Sequence, residues 1–125
     1  MDAKQRALLC ARYALEKKAF DIRILEIREL SSLTDYLVIA SGNSDRQVQA
    51  IAEAVRLGCK NNEKFSPVGV EGMKEGRWIL LDYGDVMVHF FQPSVREFYD
   101  LESMWSEAPQ IPLPPEFIEE KVQYR

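Results

Sequence analysis

The stretch WILLDYGDVMVHFF, Trp78 to Phe91, limits what this chain can fold into more than any other. Gly84 and Asp85 form a natural two-residue loop, because glycine at the first central position suits the primed turns that match the twist of paired strands. A loop of that length sets the register. Tyr83 lies opposite Val86, Asp82 opposite Met87, Leu81 opposite Val88, Leu80 opposite His89, Ile79 opposite Phe90 and Trp78 opposite Phe91. Side chains alternate along a strand, so one face collects Ile79, Leu81, Tyr83, Val86, Val88 and Phe90, and the other Trp78, Leu80, Asp82, Met87, His89 and Phe91. The first face is core. The second is also largely apolar, where a half-solvated hairpin would carry a polar coat. Something must cover it, either a helix of the same chain or another protein.

At 125 residues the chain can bury one ordinary core but not two. The predicted organisation is a single domain over 1–107 and a tail over 108–125, in which prolines at 109, 112, 114 and 115 favour an extended path. No apolar run approaches the roughly 18 residues of a membrane span. The opening MDAKQRALLCARYALEKKAF has no apolar signal core, and it is not rich in Arg and Ser with acids excluded, so a cytoplasmic location is expected. Cys10 and Cys59 lie far from any CxxC spacing or histidine cluster and read as small buried thiols. A net charge of -4 repels bare nucleic acid at long range. Direct sequence-specific nucleic-acid binding is therefore not expected, and an anchor near RNA should be a basic protein or a local patch.

Hydrophobic spacing supplies the other elements. Leu8, Ala11, Ala14 and Leu15 form a helical stripe, DIRILEI alternates as a strand, and YLVIAS is a continuous apolar run expected of a strand covered on both faces. Val48, Ile51, Ala52 and Val55 return to helical spacing behind a predicted capping box of Ser44 and Gln47. SPVGVEG reads as a short strand before the hairpin. In PSVREFYDLESMWSE, Val95, Phe98, Leu101, Met104 and Trp105 predict one continuous helix, opened by a second capping box of Ser94 and Glu97. The fold class is α/β, a mixed five-stranded sheet layered with helices.

Asp82, Asp85 and His89 invite a metal or acid/base reading. Aspartate is ordinary in a turn, however, and Asp82 and His89 are diagonal neighbours that could pair without a catalytic task. Structure or binding is the preferred reading, with no catalytic residue, cofactor or metal. SGNSDRQ could cradle an anion, and Arg46, placed against the helix dipole, is a residue expected to meet something negative. Capping geometry alone would also explain Gly42 and Ser44. In GVEG, Glu71 is a partner for a basic residue.

Taken together, SSLTDYLVIASGNSDRQVQAIA, GVEG, WILLDYGDVMVHFF and REFYDLESMW resemble, in order and spacing, the ribosomal silencing factor family, also called Iojap-like. The resemblance runs from about Asp21 to Trp105. It implies a fold related to nucleotidyltransferases without their activity. It also implies docking on a large-subunit ribosomal protein at the intersubunit face, the L-fourteen protein, which blocks joining of the small subunit and dampens translation when nutrients are short. The family pattern falls on Trp78, on Asp82, Gly84 and Asp85, on His89, and on Ser41, Gly42 and Arg46. The strand-face argument selects Trp78, Leu80, Asp82, Met87, His89 and Phe91 as partner-binding residues, with Arg46, Glu71 and Asp85 as secondary candidates. Two alternatives stand beside this. A nucleotidyltransferase-like enzyme would need a Gly-Ser turn and carboxylates for two metal ions; here the turn is reversed, Ser41 before Gly42, and the following strand lacks a close carboxylate pair. A homodimer could cover the second hairpin face with its own interface.

Overall fold

The computed structural model describes residues 1–115 and 117. In chain order the elements are α1 (Ala3–Glu16), β1 (Phe20–Glu26), β2 (Tyr36–Ser41), α2 (Asp45–Glu63), β3 (Gly69–Glu71), β4 (Trp78–Asp82), β5 (Val86–Phe91), α3 (Pro93–Tyr99), a 3₁₀ turn (Leu101–Trp105) and β6 (Gln110–Ile111). They form a mixed sheet ordered β3-β4-β5-β2-β1-β6, so the α/β class stands and the strand number is six rather than five. β2, buried at every residue, pairs in parallel with β5 and antiparallel with β1. Its unbroken apolar run reflects helices or turns on both faces.

The hairpin register is the one the two-residue loop dictates. Trp78 pairs with Phe91, Leu80 with His89 and Asp82 with Met87. Ile79, Leu81, Tyr83, Val86, Val88 and Phe90 are all buried. Against this face pack Ala7, Cys10, Ala11 and Ala14 of α1 and Val48, Ile51, Ala52, Val55 and Cys59 of α2. Both cysteines are free and buried, with sulfur atoms 4.0 Å apart.

The opposite sheet face is covered only in part. Leu25, Ile27, Leu37, Ile39 and Phe91 form a second cluster with Val95, against which Leu101, Trp105 and Ala108 pack. Here the expected continuous helix is corrected. α3 stops at Asp100, whose φ of +44° is left-handed, and the chain resumes as the 3₁₀ turn. The break returns Glu102 to Arg96, which donates to both carboxylate oxygens at 2.9 and 3.0 Å. Arg96 also reaches the Asp21 carbonyl at 2.7 Å and the Ser41 hydroxyl at 2.8 Å. This bidentate bond holds the Glu102 carboxyl below the usual carboxylate range. Phe98 and Met104, expected in the core, are instead 80% and 69% exposed.

Three local expectations are also corrected. Ser44 accepts from the Gln47 N–H, but the Gln47 side chain accepts from Asn43 rather than from Ser44, so the capping box is incomplete. The second box is absent: Gln92 is the N-cap of α3, Pro93 fills its first position, and no side chain caps it. β6 arises in the proline-rich tail, where the Pro109 carbonyl accepts from the Glu26 N–H at 2.9 Å and Ile111 and Leu113 pack against the core. Gln110 and Ile111 are thus extended and docked on β1, and Phe117 further along is buried in the first cluster. The rest of the expected tail, 116 and 118–125, lies outside the described residues.

A complete capping box does occur on α1. The Asp2 carboxylate accepts from the Gln5 N–H at 2.8 Å, and the Gln5 side chain accepts from the Asp2 N–H at 2.9 Å. Asp2→Ala is expected to cost about 1 kcal/mol, read as a lower urea midpoint at unchanged slope.

Candidate docking site

Where α3 and the 3₁₀ turn leave the second sheet face, β4 and its neighbours form a cleft. Glu71, Gly72, Trp78, Leu80 and His89 line about 340 Å³ of open space. Strand alternation explains the grouping, because Glu71 pairs with Leu80 and Leu80 with His89 across three adjacent strands. Gly72 closes the end. Its φ is +81°, and a Cβ there would lie 1.9 Å from the Trp78 carbonyl oxygen.

The indole of Trp78 is fixed from several sides. Its Nε1–H donates to His89 Nδ1 at 2.9 Å. Its ring lies 4.8 Å from Phe91 and 4.9 Å from Tyr99, centroid to centroid. Because the indole nitrogen can only donate, His89 Nδ1 must accept, which puts the proton of the neutral imidazole on Nε2. Burial agrees with this and pushes His89 down from 6.5 to about 4. A protonated His89 would carry a buried charge and lose the Trp78 bond.

This has a pH consequence of definite sign. Between pH 6.5 and 4 the unfolded chain takes up a proton that the folded chain refuses, so stability is full above 6.5 and falls on acidification. About 3 kcal/mol is lost by pH 4, and His89→Asn should remove that part of the slope. Urea unfolding of both proteins from pH 7 to 4 checks it.

The remaining expected residues separate into groups. Phe91 is fully buried and shapes the face from beneath, and Met87 is half-buried against the second cluster. Asp82 does not bond to His89. Its carboxylate accepts from the Gly84 N–H at 2.8 Å and tightens the turn. Asp85 faces α1, where Arg6 meets it at 2.9 Å. Arg46 stands exposed at the start of α2, outside the cleft. Sequence reasoning missed Gly72, whose need for a left-handed backbone has no periodic signature, and Tyr99, which periodicity left out of the helix's apolar set. Among the described residues, no group of three His, Cys, Asp or Glu side chains is placed to hold a metal ion. Likewise, none of the described helices is long and apolar enough to cross a membrane.

A family model described as "Ribosomal silencing factor during starvation" matches residues 1–125. The chain belongs to the ribosomal silencing factor family. One similar relative is "Ribosomal silencing factor RsfS" of Bacillus subtilis, 39% identical over 109 residues that span 87% of this chain and 92% of the relative. "Protein Iojap, chloroplastic" of Zea mays is 41% identical over 109 residues, 86% of this chain and 46% of that longer protein. Among solved structures, a Chromobacterium violaceum protein superposes with a TM-score of 0.82 at 37% identity, covering 85% of this chain and 88% of the other. The mixed sheet with its helices is thus an architecture that this chain shares with a solved structure.

Proposed function

We propose that this chain is a translational repressor that docks on the large ribosomal subunit and blocks its association with the small subunit. The observation that carries the reading is the uncovered half of the second sheet face. There, an apolar cleft is built around an indole already held in place by His89, Phe91 and Tyr99. A fixed aromatic costs little conformational entropy on binding, and such residues dominate the energetics of protein interfaces. Glu71 on the rim and Asp82 beside it suit a basic partner, in keeping with a ribosomal protein such as the L-fourteen protein at the intersubunit face. The family name, with its silencing and its starvation, agrees with this.

No chemistry is required of such a factor. On this reading the nucleotidyltransferase-like fold serves as a scaffold, and repression follows from occupying a surface that the other subunit needs. Potency is then a matter of affinity and concentration in the cytoplasm. The test is cosedimentation of the chain with isolated large subunits, together with light scattering of subunit joining. The expected result is stoichiometric binding to the large subunit and a dose-dependent loss of joined ribosomes. Joining that proceeds unchanged at saturating protein would sink the reading. Self-association through the same cleft is checked by sedimentation equilibrium, where Trp78→Ala would dissociate a dimer built on it.

A further inference from the structure

Beside the Trp78 cleft lies a second one of different chemistry. Arg77, Ser94, Val95, Phe98 and Tyr99 line about 320 Å³ of open space. Phe98 is 80% and Tyr99 56% exposed, and their rings meet edge to face at 5.0 Å. Two further cations belong to the same region. Gln49 of α2 donates to the carbonyls of Met73 and Lys74, each at 3.0 Å, and so draws the loop that carries Lys74 and Arg77 onto the first turns of α2, where Arg46 stands. Gln92 closes the arrangement from the other side. Its side chain bonds Asp45, and its N–H reaches the Arg77 carbonyl at 3.4 Å. Arg46, Lys74 and Arg77 are all exposed, and none joins an ion pair or a side-chain hydrogen bond among the described residues.

We infer that this cleft binds single-stranded RNA without sequence preference, an unstacked base lying against Phe98 and Tyr99 and the phosphates meeting Arg77, Arg46 and Lys74. An exposed aromatic pair next to unpaired cations is the combination that single strands use, since every base has a face to stack and every linkage carries a charge. The net charge of -4 disfavours RNA at long range, so binding depends on these local cations. The inference rests on the proposed ribosomal docking. The Trp78–Tyr99 ring contact joins the two clefts, so a protein seated in the first would bring neighbouring RNA to the second.

The experiment measures fluorescence anisotropy of a labelled single-stranded oligouridylate with the full chain across a potassium chloride series. The parent should bind with an affinity that falls steeply with salt. Phe98→Ala should weaken it about tenfold through lost stacking. The triple variant Arg46→Gln, Lys74→Gln and Arg77→Gln should flatten the log–log salt slope by about two, roughly 0.7 for each cation removed. Leu80→Ala, which alters the first cleft and touches neither Phe98 nor Tyr99, should bind the oligonucleotide as the parent does. No binding by the parent, or equal binding by the Phe98 and triple variants, overturns the inference while leaving docking to be judged by large-subunit cosedimentation. Conversely, Arg77- and Phe98-dependent RNA binding without cosedimentation upholds this patch and removes the docking. Variants that lose large-subunit affinity yet bind oligouridylate normally would assign the cleft to a protein and overturn the RNA assignment.

Discussion

Trp78→Ala is expected to lower affinity for the large ribosomal subunit by about a hundredfold or more, the range of a central interface aromatic. The indole forms the wall of the cleft, and its removal also unpins Tyr99 and leaves His89 Nδ1 without its donor. Stability should fall too, by about 2 kcal/mol, less than for a fully buried tryptophan because this one is only half-buried. Circular dichroism and urea unfolding then separate a folded, non-binding variant from an unfolded one. Trp78→Phe is the sharper comparison. It keeps most of the ring area but loses the Nε1–H, so an affinity loss near tenfold would apportion the effect between surface and preorganisation. An alanine variant that cosediments like the parent would show that the subunit is met elsewhere.

Gly72→Ala should be the most damaging small substitution on the proposed docking face. Its backbone is left-handed at φ +81°, which alone costs a non-glycine residue about 1 kcal/mol. The added methyl would also lie 1.9 Å from a backbone oxygen, that of Trp78, which has no rotamer to escape into. β4 must then shift, and with it the indole. We expect a loss of about 3 kcal/mol, a melting temperature lower by about 10 °C, and weakened subunit binding in the fraction that remains folded. An unchanged melting temperature would contradict the placement of this turn against β4.

The hairpin was legible because a two-residue loop leaves one register open, and alternation then assigns every side chain to a face. Which half of the second face stays uncovered was not legible. That depends on Asp100 adopting a left-handed conformation, a choice that apolar spacing at Phe98, Leu101 and Met104 does not reveal. β6 was hidden for a related reason. A two-residue strand between prolines has no periodicity, and it is recruited by the free edge of β1. Within the hairpin, alternation assigned side chains to faces but did not specify which atoms they bond. His89 was placed on the correct face, but its bond to Trp78 rather than to Asp82 turns on rotamers that spacing does not specify. Arg77 gave no signal, since a single cation after a glycine is common on any surface.

The parallel pairing of β2 with β5 has a consequence for how the chain is made. Tyr36 meets Val86, a partner fifty residues further along, while β1 pairs with β2 as soon as both exist. During synthesis at roughly 5–20 residues per second, one edge of the most apolar strand therefore stands open for several seconds, with α2 and β4 still to emerge. A nascent chain halted before Val86 is a sticky fragment with an unsatisfied strand edge, and its yield should depend on chaperones that shield such edges until the hairpin arrives.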